Sequence, residues 1–229
     1  MSCPIVTAIQ GDLVRGLEVE VAILFRGPIR PSADAVAARI TRFLESISRM
    51  EMTASTYLAT WQTDGVDELI ELRRSAKIDN LLVMKPLSDD EILKLAPVEF
   101  MRNGVRAQNV FRQYYLSKIA LDVISSDPRF EYVIHTRTDI DVDLGPHLET
   151  WFDPELYCTV HTSFINDQFA VAPAHLMQAA WDYGSINNLT QLMEKAGIPE
   201  DVLQLIVDNA NIKVVQRNLA YISLDPLRK

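Results

Sequence analysis

The sequence predicts an α/β fold: a Rossmann-type, mostly parallel sheet flanked by helices and built as a single domain. Three observations carry the prediction. Short uninterrupted apolar runs, such as V-A-I-L-F at 21–25, are the mark of strands buried on both faces. Those runs alternate with segments of helical periodicity in a β-α-β-α-β rhythm, which implies parallel strands joined by right-handed crossovers. The length of 229 residues, with 48% apolar residues and only 8 Gly and 11 Pro, suffices for one sizeable core without low-complexity linkers.

The elements follow in order. Residues 1–18 precede the first strand and are read as an edge hairpin. The first strand, 19–27, ends at Arg26-Gly27-Pro28. In a parallel sheet this turn faces the ligand crevice, so Gly27 would let backbone approach a ligand, and Arg26 or Arg30 would meet phosphate. Read alone, the same turn is a plain strand terminator with an exposed arginine. Ser32 caps a helix whose apolar residues Val36, Ile40, Phe43, Leu44 and Ile47 recur at spacings of three and four. A second strand at 53–61, a helix at 66–77 and a third strand at 80–86 follow. The stretch 87–107 reads as a surface excursion, capped at Ser88-Asp89-Asp90-Glu91 and interrupted by Pro97.

A helix at 108–124 comes next, with Asn109, Arg112 and Gln113 on one surface by their i, i+3 and i+4 spacing. That surface is either a solvated face or, with Arg106, one wall of the crevice. After Asp127-Pro128 the chain enters a strand, a connector at 148–154, and a short strand at 157–160 leading to His161. Asn166-Asp167 is turn chemistry before an apolar strand, and Pro173 starts a helix over 174–183. Helices at 188–196 and 199–209, a strand at 212–215 and a tail from 221 complete the chain. Within the single domain we expect a functional division near residue 145, into 1–145 and 146–229 with the C-terminal helices.

The most informative stretch is Y-V-I-H-T-R-T-D-I-D-V-D-L-G at 132–145. It opens as a strand and closes on Asp139, Asp141 and Asp143. Read as one extended run, it sets Arg137, Asp139 and Asp141 on one face, with Ile134, Thr138 and Ile140 on the other. Carboxylates at the C-terminal end of a parallel strand lie where open α/β sheets bind ligands. Their hard oxygens suit Mn²⁺ or Mg²⁺ bridged to phosphate. An acidic solvated loop is the plainer alternative. A calcium-binding EF-hand is excluded by spacing, because counting from Asp139 puts Gly145 seventh and Thr150 twelfth.

Composition narrows the function further. With 22 Lys and Arg against 31 Asp and Glu, the net charge is −9, which argues against a nucleic-acid or anionic-membrane surface. An acidic protein that takes a polyanionic nucleotide needs a metal ion or a local arginine cluster. Cys3 and Cys158 lack zinc spacing, and Cys158 sits in an apolar run that suits a buried free thiol. No basic leader or apolar stretch near ~18 residues occurs, so we expect a soluble cytoplasmic protein with at most peripheral membrane contact. Walker, G-x-G-x-x-G, H-E-x-x-H and G-x-S-x-G motifs are absent from the sequence.

Taken together, A-I-L-F-R-G-P-I-R, N-V-F-R-Q-Y-Y, Y-V-I-H-T-R-T-D-I-D and F-I-N-D-Q-F-A-V-A-P resemble bacterial WavE-type lipopolysaccharide-synthesis glycosyltransferases and related GT-A enzymes, over roughly 21–183. The resemblance implies a GT-A-like fold and transfer of a sugar from a nucleotide-diphosphate sugar to a saccharide or glycolipid acceptor. Matched to the family's motifs are Gly27 and Pro28, Asn109, Arg112 and Gln113, Arg137, Asp139 and Asp141, and Asn166 and Asp167. With Arg26, the set Gly27, Pro28, Asn109, Gln113, Arg137 and Asn166 is expected to bind the donor, and two of Asp139, Asp141 and Asp143 to hold the metal. Arg112 would assist the departing diphosphate. Asp167 would take the acceptor proton, with His161 as runner-up; with no base there, a retaining reaction is expected. Two other readings stay open: a non-catalytic nucleotide-sugar binder or scaffold, and a nucleotidyltransferase, for which R-G-P-I-R is a poor phosphate loop.

Overall fold

The computed structural model describes residues 20–50, 52–62, 66–95, 101, 104–144, 148–160, 165–217 and 220–224. The expected hairpin at 1–18 and His161 lie outside these residues. Chain order is β1 (Glu20–Arg26), α1 (Ala33–Ile47), β2 (Thr53–Trp61), α2 (Val66–Ser75), β3 (Asn80–Met84), α3 (Asp89–Leu95), α4 (Ala107–Ser125), β4 (Tyr132–Arg137) and β5 (Ile140–Leu144). A 3₁₀ turn (Leu148–Trp151) leads to β6 (Tyr157–Val160), β7 (Phe169–Pro173), α5 (Ala174–Trp181), α6 (Ile186–Lys195), α7 (Pro199–Asn209), β8 (Val214–Arg217) and β9 (Ala220–Leu224).

The fold is α/β, as the apolar runs predict. One seven-stranded sheet has the order β3-β2-β1-β4-β7-β6-β8, and β5 with β9 forms a separate two-stranded sheet. Strands β1 to β4 are mutually parallel where they pair. β7 runs antiparallel to both β4 and β6, and β8 is parallel to β6, so the large sheet is mixed.

Alternation along β1 divides the interior in two. Ala22 and Leu24 join Tyr57, Phe111, Tyr114, Val133 and Trp181 on the side covered by α4 and α5. Val21, Ile23 and Phe25 join Ile40, Phe43, Ile134 and Trp151 on the side covered by α1. Both faces are dry, which is why β1 reads as unbroken apolar residues instead of an alternating pattern.

The local caps agree with the sequence. Ser32 Oγ accepts the Ala35 amide at 3.3 Å, and Ser88 and Glu91 form a reciprocal capping box, with the Ser88 amide donating to Glu91 at 2.8 Å. Within 87–107, α3 does lie on the surface, with residues 88–91 and 93–95 exposed, but it is anchored to the body of the fold. Ile92 of α3 is fully buried, and Arg112 of α4 donates to the Leu87 carbonyl at 2.7 Å and to Asp89 at 2.6 Å, which ties α3 to α4.

The run at 132–145 also differs from its expected form. It is two strands, because Thr138 and Asp139 turn the chain: the Thr138 amide donates to the Arg26 carbonyl at 3.0 Å, and β5 then leaves to pair with β9. The alternation that would set Arg137, Asp139 and Asp141 on one face therefore stops at Arg137. The partner β9 lies in what reads as a tail. Among the described residues, no helix is long and apolar enough to cross a membrane.

Candidate active site

The strand order reverses between β1 and β4, since β2 and β3 build outward from one and β7 and β6 from the other. In open α/β sheets the crevice beyond the carboxyl ends of such strands is where ligands bind. Here it is occupied by charge. Arg26 closes β1 and Arg137 closes β4, paired in register with each other. By period two, His135 shares their side of the sheet, the side that packs against α4 and α5.

Arg26 is only 2% exposed, yet its Nε and one terminal nitrogen both find acceptors. Its Nε donates to His135 Nε2 at 2.8 Å, and one terminal nitrogen donates to the Asp167 carbonyl at 2.7 Å and to Asp167 Oδ2 at 3.4 Å. The guanidinium also lies 4.8 Å from the centre of the Trp181 ring, a cation–π contact. Burial pulls Arg26 down to about 10, against the raising pull of Asp167, so it remains charged at neutral pH.

Asp167 is the hub. Its Oδ2 takes Arg26, a hydrogen bond from Gln113 Nε2 of α4, and Arg137 at 3.7 Å. Asn166 holds this carboxylate in position: its Oδ1 accepts the Gln168 and Phe169 amides at 2.7 and 3.2 Å, and its carbonyl accepts Thr159 Oγ1 at 3.0 Å. This is the turn chemistry expected at Asn166-Asp167, now with a function: it aims Asp167 under β1 and β4.

Arg137 is clasped to Asp139 through two parallel bonds of 2.8 and 2.7 Å, with side chains 13% and 11% exposed. Although burial opposes it, hydrogen bonding to Asp139 and the charges of Asp167 and Asp139 raise the Arg137 pKa. Two cations and two anions thus balance in one buried cluster. His135 is its neutral member. Its Nε2 accepts a bond, so Nδ1 carries the proton, and that Nδ1 has no partner.

Burial first, then Arg26 and Arg137, drive the His135 pKa well below the usual histidine range. An unfolded histidine gains its proton near pH ~6.5 and the folded one resists, so the unfolded state binds more protons below that point. Stability is full above pH ~6.5 and declines as pH falls toward the folded value. His135→Gln, which keeps an acceptor for Arg26, should flatten the change in urea midpoint between pH 7.5 and 5.5. Parallel profiles for the two proteins would remove His135 as the cause.

Gly27 serves the protein's own packing. Its φ of +131° suits glycine, and an added Cβ would stand 2.8 Å from Thr138 Oγ1. That hydroxyl donates to the Pro28 carbonyl at 2.7 Å. The close approach expected of a ligand is thus made by Thr138, which laces the turn after β1 to the turn after β4.

Of the residues expected to contact the donor or the metal, the fold brings together Arg26, Gln113, Arg137, Asp139 and Asp167, with Gly27, Pro28 and Asn166 as supports. Asn109 is exposed on α4, and Arg112 is engaged by Leu87 and Asp89 away from the hub's contacts. Asp141 pairs with Arg42 and, at 3.7 Å, with Arg39 of α1, and Asp143 is exposed on β5. Among the described residues no three His, Cys, Asp or Glu side chains are grouped to share an ion.

His135, Trp181 and Glu200 were not singled out from the sequence. Counting by two from Val133 would have found His135 beside Arg137. Glu200 sits in the first turn of α7, whose start is pinned by Tyr114 Oη donating to the Pro199 carbonyl at 2.8 Å. Burial raises its pKa, the Asp167 charge adds to this and Arg137 opposes, which puts Glu200 within electrostatic reach of the cluster. The chain matches no family model and no curated protein.

Proposed function

We propose that the protein is a metal-dependent glycosyltransferase that moves a sugar from a nucleotide-diphosphate sugar to a saccharide or glycolipid acceptor. The observation that carries this reading is the convergence of Arg26, Arg137, Asp139 and Asp167 at the reversal between β1 and β4. Such an array answers the need of a departing diphosphate, whose negative charge grows as the glycosidic bond breaks.

The donor set fits a hard divalent ion in part. Asp139, just past β4, would have to share with the ion the two oxygens that Arg137 now bonds; one or two carboxylates plus substrate phosphates are the usual holding of Mg²⁺ or Mn²⁺. Asp141 would have to leave Arg39 and Arg42 to join it. A bound ion would supply charge neutralisation at the diphosphate. The protein's own residues do the rest: Arg137 faces the phosphates from β4, Asp167 fixes both arginines, and Arg26 lends buried positive charge from below.

With Oδ2 of Asp167 committed to two arginines and Gln113, Glu200 is better suited to accept the proton of the incoming hydroxyl. A base acts when deprotonated, so turnover should rise with pH through the raised Glu200 midpoint, above the ordinary glutamate value of about 4.3. Glu200→Gln should lower kcat by roughly 10²–10⁴ and erase that acidic limb while donor affinity holds. An unchanged limb would return the assignment to Asp167.

The reaction itself is tested by incubating the full chain with Mn²⁺, uridine-, guanosine-, adenosine- and thymidine-diphosphate sugars and saccharide acceptors. Release of nucleoside diphosphate with one donor supports the reading. A non-catalytic binder is favoured by the saturation of both arginines by internal carboxylates, and calorimetric binding with no release for any donor would select it.

A further inference from the structure

We propose that Trp61 is the platform on which the nucleobase of the bound nucleotide stacks; this rests on the nucleotide-sugar reading above. Three rings lie nearly parallel in a row. Phe111 and Tyr115 of α4 are 6.2 Å apart with planes 13° from parallel, and Tyr115 and Trp61 are 6.3 Å apart at 11°. Phe111 is fully buried, whereas Tyr115 and Trp61 are partly exposed, so the row runs from the core toward the surface. Among the described residues no further aromatic ring contacts Trp61. One more planar ring would extend the row by the same offset-stacked geometry.

The position of Trp61 selects the occupant. Trp61 ends β2, two residues beyond Ala59, whose carbonyl accepts the Gly27 amide at 3.1 Å. By strand rise it stands about 7 Å past the turn that opens the crevice. Alternation puts it on the side of Tyr57 and Ala59, the side that carries Arg26, His135 and Arg137. Helix α4 supplies both Tyr115 to the row and Gln113 to Asp167, so ring platform and charged cluster are fixed to one element. A ligand that is anionic at one end and planar aromatic at the other meets both. Stacking on indole tolerates any base, so this contact gives affinity without choosing among nucleotides.

Tryptophan emission reads the contact directly. The chain has three tryptophans, and Trp151 and Trp181 are fully buried, which leaves Trp61 as the one open to quenching by a ligand. The full chain is titrated in Mn²⁺ with uridine and guanosine diphosphates, with inorganic pyrophosphate and free glucose as controls. Saturable quenching by the nucleotides and by neither control is expected. Trp61→Phe should lose the quench but bind within a few-fold by calorimetry. Trp61→Leu, which keeps apolar bulk without a π face, should bind roughly ten- to a hundredfold more weakly.

Wild-type affinity in Trp61→Leu, or calorimetric binding by the wild type without quenching, would overturn the platform and leave the glycosyltransferase reading standing. Quenching by glucose alone would reassign Trp61 to a sugar and overturn it too. Binding of no nucleotide to the wild type would remove both.

Discussion

Asp167→Ala should destabilise the fold by about 3–5 kcal/mol, the cost of stranding a buried charge. The carboxylate is 3% exposed and is the acidic partner of Arg26, itself 2% exposed, so its loss leaves a buried guanidinium with the neutral His135, the Asp167 carbonyl and the Trp181 ring as its contacts among the described residues, and Asp139 as a weaker, more distant counter-charge. Arg137 would suffer less because Asp139 still clasps it. Asp167→Asn keeps the shape but not the charge and should fall between wild type and alanine. Urea midpoints at constant m measure the effect. Pairing Asp167→Leu with Arg26→Met should recover much of the loss, since an apolar pair carries no desolvation penalty. A cost below about 1 kcal/mol for the alanine variant would mean that water reaches Arg26, and the sealed-cluster description would be wrong.

The largest effect on activity is expected at Asp139. Asp139→Asn should cut Mn²⁺-dependent turnover by at least about a hundredfold, because charge neutralisation at a leaving group is worth several kcal/mol in the transition state. The matching stability loss should stay within about 2 kcal/mol, since Arg137 keeps Asp167 at 3.7 Å. Asp143→Asn, exposed on β5, should be close to wild type. Initial rates against Mn²⁺ concentration for the three proteins decide the matter. Equal losses at Asp139 and Asp143 would point to a rearranged β5, and no loss at Asp139 would leave the metal without a protein ligand there.

Much of the architecture was legible because the core is dry on both faces. Apolar runs marked β1 and β3, β-prone residues before a turn marked β2, Ser32 and Ser88 announced their helices, and α4 began one residue from its expected start. What escaped notice depended on partners far away in sequence. T-D-I-D-V-D alternates without a breaker before Gly145, and nothing local reveals that Thr138 bonds back to Arg26 or that β5 finds β9. The antiparallel β7 was equally silent, since five buried residues read the same in either direction.

The site divides the same way. Arginines and aspartates at strand ends were visible as candidates, but which carboxylate meets which arginine was not. Arg112 and Gln113 are neighbours on one helix, yet one is engaged by Asp89 and the other by Asp167. Glu200 lies on a helix whose sequence reads as an ordinary acidic first turn.

The counter-charge for Arg26 comes from a residue 141 positions later. A fragment ending at residue 145 would therefore synthesise both arginines of the crevice without the acid that neutralises Arg26, and would lack the strands that flank β4 on its other edge. Strands from both sides of residue 145 share one sheet, so that point cannot serve as a place to cut. On the ribosome, the buried charge cluster stays incomplete until the segment carrying Asp167 has emerged and threaded back beside β4.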